Sequence, residues 1–191
     1  MEELYQKLKE LIGLTLGEWE TFKVKLVRKE FDAKTTVTKA GNVAHHLYFV
    51  SKGLMRTYHL QAGKEMNTYF ACDAQFIATF SSFITQTASF ETLEAMEDTQ
   101  VYELSHQALI ELYEMSPKFE KLGRILAEQN YLCVLDRTLT LQTKTAREKY
   151  LSFIKNYDQK IVQCVPQHMI ATFLGIAPES LSRVRKQILI S

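Results

Sequence analysis

The sequence predicts an α+β chain in the order helix, β module, long helix, small helical module. Three observations carry that reading. Leucines recur at helical spacing at the start of the chain. Short runs rich in Val, Thr, Tyr and Phe, separated by turn residues, fill the stretch up to Ser105. Beyond Ser105 the apolar pattern turns helical again.

The elements follow in order. Residues 1 to about 20 read as one helix, because Leu4, Leu8, Leu11 and Ile12 fall on one face. "TTVTKAG", "HLYFVSKGLMRTYHL", "KEMNTYFACDAQF", "FETLEAM" and "TQVYELS" read as short strands. Gly41 ends the first of these runs. Gly53, "QAGK" (Gln61 to Lys64) and "EDT" (Glu97 to Thr99) read as turns between the others. Strands at about ten-residue spacing point to a sandwich or barrel. "SSFIT" reads as a short helix among them.

From Lys118 to about Leu141 there is no Pro and one Gly, Gly123. Leu122, Ile125, Leu132, Leu135 and Leu139 recur at steps of three, four and seven. That stripe fits a long helix packed along its length, either on the chain's own β module or against a second copy. "TAREKYLSFIKNY" reads as a further amphipathic helix, with Thr145 and Glu148 in capping-box spacing. "DQKIVQCVP" reads as a connection holding a short strand.

"VPQHMIATFLGIAPESLSRVRKQ" reads as a helix pair. Gly175 supplies the turn and Ile176 fills the space between the helices. Pro178 suits the first turn of the second helix, where its missing N–H costs little. Leu181, Val184 and Ile188 form the inward stripe. Pro178, Glu179, Ser180, Ser182, Arg183, Arg185 and Lys186 are the candidate DNA-binding set. Arg183 has the geometry for guanine and Glu179 can accept from cytosine, while Arg185 and Lys186 suit phosphates.

Bulk properties agree. The 191 residues carry a net charge of +1. Thr138 to Ser191 holds 8 basic and 3 acidic residues, leaving 15 basic and 19 acidic in the rest. A basic end on a nearly neutral chain points to a polyanionic partner. No apolar run approaches the roughly 18 residues that span a bilayer, and "MEELYQKLKE" lacks an apolar signal core, so a cytoplasmic protein without membrane contact is expected. Cys72, Cys133 and Cys164 are scattered, and adjacent strand residues such as His45 and His46 point to opposite faces. No metal and no cofactor is expected. The set of spaced residues that marks an enzyme is missing too.

These motifs together resemble the cyclic-AMP receptor protein/Fnr superfamily of bacterial transcription regulators. "LYFVSKGLMRTYHL" resembles its β-roll strand and glycine turn, "VYELSHQALIELYEMSP" the approach to its dimer helix, and the terminal helix pair its recognition unit. The resemblance implies a sensor β-roll with flanking helices over 1–116, a dimerisation helix over 117–141 and a winged-helix-type helix-turn-helix over 142–191. The wing is expected to be short or absent, because few residues follow the recognition helix. Ala177 stands where the family usually has a side-chain N-cap. The implied function is a homodimeric, sequence-specific DNA-binding regulator on a near-palindromic operator. RNA polymerase and an unidentified small-molecule effector are further partners. A ligand-binding or protein-interaction module without DNA binding is the alternative.

The same resemblance places a ligand pocket. Anchored on "VYELS", the family's glutamate-bearing turn falls at Ala74, Gln75 and Phe76, and its arginine-bearing stretch near Ser89, Phe90 and Glu91. Neither the glutamate nor the arginine is present. Glu65 to Pro117 contains no Lys or Arg at all. A phosphate buried there lacks a charged partner, which costs several kcal/mol, roughly. The pocket is therefore read as degenerate for cyclic AMP, taking something apolar or uncharged or serving only as scaffold. Phe76, Phe80, Phe83 and Phe90 either line it or belong to the core.

Overall fold

The computed structural model describes residues 1–190. The chain opens with two helices, α1 (Glu2–Ile12) and α2 (Leu16–Lys23), where one was expected. Gly13 takes a left-handed conformation (φ 65°) that closes α1. Thr15 and Glu18 then form a reciprocal capping box that starts α2.

Eight strands follow: β1 (Leu26–Phe31), β2 (Thr36–Thr38), β3 (His46–Lys52), β4 (Leu54–Gln61), β5 (Lys64–Cys72), β6 (Gln75–Ile77), β7 (Thr92–Ala95) and β8 (Thr99–Ser105). The short α3 (Phe80–Thr85) sits between β6 and β7. The strands make two four-stranded antiparallel sheets, ordered β1-β8-β3-β6 and β2-β7-β4-β5. Val50, Met55, Ala71, Ile77, Leu93 and Val101 pack together as the interior of this β-roll. β1 escapes the sequence pattern because Arg28, Lys29 and Glu30 are exposed on an edge strand, where charge discourages further pairing. Gly53, between β3 and β4, has φ 126°, and a Cβ there would collide with the side chain and backbone of Thr99. Only glycine meets both demands.

α4 (His106–Met115) leads to α5 (Pro117–Thr143), which Ser116 caps through the Lys118 N–H. Then come α6 (Ala146–Asn156), α7 (Gln159–Cys164), α8 (Gln167–Leu174) and α9 (Pro178–Ile190). The expected short strand before the helix pair is instead α7, started by the Asp158 carboxylate accepting from the Lys160 N–H. The Thr145–Glu148 capping box at the start of α6 is present. Among the described residues no strand follows Ser105, and α6 to α9 are all helical.

Two further apolar clusters tie the elements together. Leu4, Leu8, Trp19, Phe22, Phe49, Leu112, Phe119, Leu122 and Leu126 join α1, α2, α4 and the first half of α5 to the β-roll. Phe153, Ile161, Ile170, Phe173, Leu174, Leu181 and Val184 form the core of the terminal helices, and Leu54, Phe70 and Cys72 of β4 and β5 belong to the same cluster. The terminal unit is therefore seated on the β-roll by shared apolar burial.

The long-helix stripe divides at its middle. Leu122 is 1% exposed and Ile125, half-buried, packs on the same cluster, so both contribute to the chain's own core where α1 and α4 meet the β-roll. Leu132, Leu135 and Leu139 are exposed, together with Tyr131 and Val134.

Candidate nucleic-acid interface and effector cavity

Ile170, Phe173 and Leu174 of α8 and Leu181 and Val184 of α9 are buried against each other and against Phe153 of α6. Gly175 turns the chain at φ 60°, and the Ile176 N–H donates to the Ala171 carbonyl. A Cβ at Gly175 would lie 2.8 Å from Leu141 Cδ2, so this turn rests directly on the end of α5. These contacts fix which side of α9 faces outward. Pro178, Glu179, Ser182, Arg183 and Lys186 are exposed, whereas Ser180 and Arg185 are half-buried. Glu179, Arg183 and Lys186 stand at i, i+4 and i+7, one strip of the helix. Among the described residues none of these three, nor Arg185, enters an ion pair. Arg185 lies on the flank of the buried stripe, which suits a phosphate beside the groove better than a base within it.

The ligand-pocket residues do not stay together. Ser89 and Phe90 line a cavity of about 440 Å³ between the β-roll and α5, with His59, Tyr69, Thr79, Phe80, Glu91 and Arg137. Gln75 and Phe76 instead line a separate cavity of about 230 Å³ with Lys7 and Gln129. Ala74 is a turn residue (φ 61°) whose N–H donates to the Val50 carbonyl. The larger cavity takes its wall from Ala78 to Ser82 where the sequence reading placed Ala74 to Phe76. Of the four predicted pocket aromatics, Phe80 and Phe90 line this cavity, while Phe83 is core and Phe76 packs edge-on against Phe49.

A cation does reach this half of the molecule, contrary to the expectation from Glu65 to Pro117. Arg137 comes from α5, outside the cationless segment, and reaches the cavity. Of the acidic run beside it, Glu94 binds Arg56, Glu97 binds Lys160 and Asp98 accepts from the Ala33 N–H, leaving Glu91 alone on the lining. Arg137 lies on the helix face shared by Leu122, Leu126 and Cys133, so its inward direction was readable from spacing, but a single arginine there carries no motif.

Arg137 and Asn67 join three parts of the molecule. Asn67, on β5 and 1% exposed, donates from Nδ2 to Thr172 Oγ1 on α8 at 2.8 Å. Arg137 Nη2 donates to the Asn67 carbonyl at 3.0 Å and the Phe173 carbonyl at 3.2 Å, and its guanidinium lies 4.9 Å from the Phe173 ring centre. On the other side of Asn67, Arg56 Nη1 donates to Asn67 Oδ1, while its other nitrogens bind Glu65 and Glu94. Lys160 of α7 adds a second tie to the β-roll through Asp73 and Glu97.

Among the described residues no group of three or more His, Cys, Asp or Glu is placed to hold a metal ion. No described helix is long and apolar enough to cross a membrane.

Comparisons with known proteins agree with this architecture. Residues 28–116 match the family model of the cyclic nucleotide-binding domain. The transcriptional activator protein anr of Pseudomonas aeruginosa is 26% identical over 157 residues, covering 76% of this chain; the alignment spans 64% of the relative's length. FixK2 of Bradyrhizobium japonicum superposes with a TM-score of 0.78 at 18% identity, covering 86% of this chain and 85% of that one. The c-di-GMP-responsive regulator CLP of Xanthomonas campestris gives a TM-score of 0.72 at 17% identity over 92% of both chains.

Proposed function

We propose, from the premise that the chain is a member of the Crp/Fnr family of transcription regulators, that it works as a homodimer reading a near-palindromic DNA site. One observation carries the DNA reading: Glu179, Arg183 and Lys186 form a single exposed strip on a helix whose other side is clamped by Leu181 and Val184. A helix so presented enters a major groove with its N-terminal residues toward the bases. Arg183 reads guanine, Glu179 accepts from cytosine, and Arg185 and Lys186 hold phosphates.

The dimer reading rests on the outward face of α5. Tyr131, Leu132, Val134, Leu135 and Leu139 expose apolar surface along its second half. A second copy of the same face covers it in an antiparallel-free, two-fold seam and sets two α9 helices one DNA turn, about 34 Å, apart. The β-roll does not hold cyclic AMP in the family's usual way, since the glutamate and arginine that mode needs are missing from it. The cavity at Arg137 receives an effector of another kind.

Binding-site selection on randomised duplexes, followed by salt titration of the selected site, tests this function. Inverted repeats and a steep fall of affinity with salt are expected. Absence of either outcome overturns it.

A further inference from the structure

Two charged side chains are buried among the described residues, Arg56 at 3% exposure and Lys149 at 8%. Arg56 is matched by Glu65 and Glu94. Lys160, half-buried on α7, is likewise matched by Asp73 and Glu97. Lys149, on α6, forms no ion pair among the described residues, and its ammonium makes no hydrogen bond there. A buried cation left without a counter-charge is costly to a fold. Its nitrogen is not among the unpartnered polar atoms that are closed off from solvent, so it meets open space.

That space is a cleft of about 30 Å³ in the corner between α5 and α6, with Asp136, Arg137, Thr140, Lys149, Ser152 and Asn156 on its lining. Thr140 repeats the Lys149 pattern from the opposite helix. It is 8% exposed and its hydroxyl has no partner among the described residues, whereas Thr138 and Thr143 donate theirs back to the Val134 and Leu139 carbonyls. Ser152 Oγ accepts from Lys144 Nζ at 3.1 Å and from Asn156 Nδ2 at 3.3 Å, so its own proton remains to be given. An ammonium and two hydroxyl protons thus line one cleft with no acceptor taking them. Asp136 is the one carboxylate on this lining, against the two cations Lys149 and Arg137, and no ion pair ties it to either.

We propose that this cleft binds one inorganic anion of halide size, with chloride as the natural case, held by the Lys149 ammonium and the Thr140 and Ser152 hydroxyls. Size selects the ion. One water needs roughly 10–15 Å³ of such space, so a cleft of about 30 Å³ takes a halide and is too small for an organic acid. Charge-assisted hydrogen bonds from a partly desolvated ammonium are the strong kind, and the anion supplies the counter-charge that the chain itself leaves out. The bound ion ties Thr140 of α5 to Lys149 and Ser152 of α6, across the corner where Lys144 and Thr145 are both extended. The three ligating groups come from α5 and α6, none from the β-roll, and the site stands whether or not the chain binds DNA.

The test follows thermal unfolding of the full chain at fixed pH and ionic strength while potassium gluconate is exchanged for potassium chloride, and then for bromide. Both halides are expected to raise the midpoint saturably, since an ion that binds only the folded chain stabilises it by mass action. Gluconate, too large for the cleft, is the blank. Lys149→Met keeps the length of the side chain and removes its charge. It should raise the midpoint in gluconate and abolish the halide response. Asp136→Asn removes the repelling charge and should bring half-saturation to a severalfold lower concentration. Absence of a halide response, or an equal response in Lys149→Met, overturns the site. So does an Asp136→Asn chain that loses stability in gluconate and gains no halide affinity, because Asp136 is then the partner of Lys149. Crystals grown in bromide at its half-saturating concentration decide the matter without any variant. An anomalous peak beside Lys149 Nζ supports the site, and no peak there overturns it.

Discussion

The two halves of α5 differ in what they serve. The first half, with Phe119, Leu122 and Leu126, is buried in the β-roll cluster and behaves as a core element. The second half turns Cys133 and Arg137 inward to cavities and a helix end, and leaves Tyr131, Leu132 and Leu135 outward. One uninterrupted helix thus anchors a domain at one end and offers surfaces at the other. Apolar residues at helical spacing say that a helix packs. Only the fold says against which body.

The sharpest way to break this division is Leu122→Ala. Emptying that site should cost about 2–5 kcal/mol of fold stability in urea unfolding, with the monomer–dimer constant little changed. If association falls instead, the first half belongs to the seam after all. Leu135→Glu is the converse. A carboxylate on the outward face should weaken association by about 2–3 kcal/mol, readable by sedimentation, while the circular dichroism of the chain stays as before. Arg183→Ala then sharpens the reading of the seam. Each half-site contact should lose about 1–3 kcal/mol, so an inverted repeat loses twice what a single half-site does only if the dimer holds both helices. Fluorescence anisotropy on the two duplexes measures the ratio. The smallest effect is Thr145→Ala at the start of α6, where loss of the capping box should cost about 1 kcal/mol in unfolding and nothing in association.

Much of the architecture was legible in the sequence because its signals are local. Turn residues at Gly53 and at Gln61 to Lys64, the Thr145–Glu148 spacing and the glycine between α8 and α9 each act within a few residues. β1 was hidden because an edge strand with Arg28, Lys29 and Glu30 outward has no alternation to show. α7 looked like a strand because six residues with Ile161 and Val162 are too few to display a helical period. The cavity was misplaced for a different reason. Its wall is built from β4, β5, the Ala78–Ser82 segment and α5, and nothing in a linear reading brings Arg137 beside Thr79. Alignment to a family pattern put Ala74 to Phe76 where the fold puts the next few residues.

Arg56 and Arg137 show the same contrast at the scale of single side chains. Both reach Asn67, yet Arg56 is matched by Glu65 and Glu94, whereas Arg137 leans on carbonyls. The Arg56 charge is met by carboxylates inside the chain, whereas that of Arg137 is shared between two carbonyls and the Phe173 ring.

The apolar cluster that takes in Leu54, Phe70 and Cys72 along with Phe153 and Phe173 has a practical consequence for anyone wishing to borrow the terminal helices. They are not a portable cassette. Cutting the chain after α5, or grafting α6 to α9 onto another sensor, strips away the floor on which Phe173 rests and would deliver a sticky, loosely packed peptide. A working chimera has to carry the matching strand surface with it, and because β4 and β5 are built into the paired sheets, that means carrying the β-roll too.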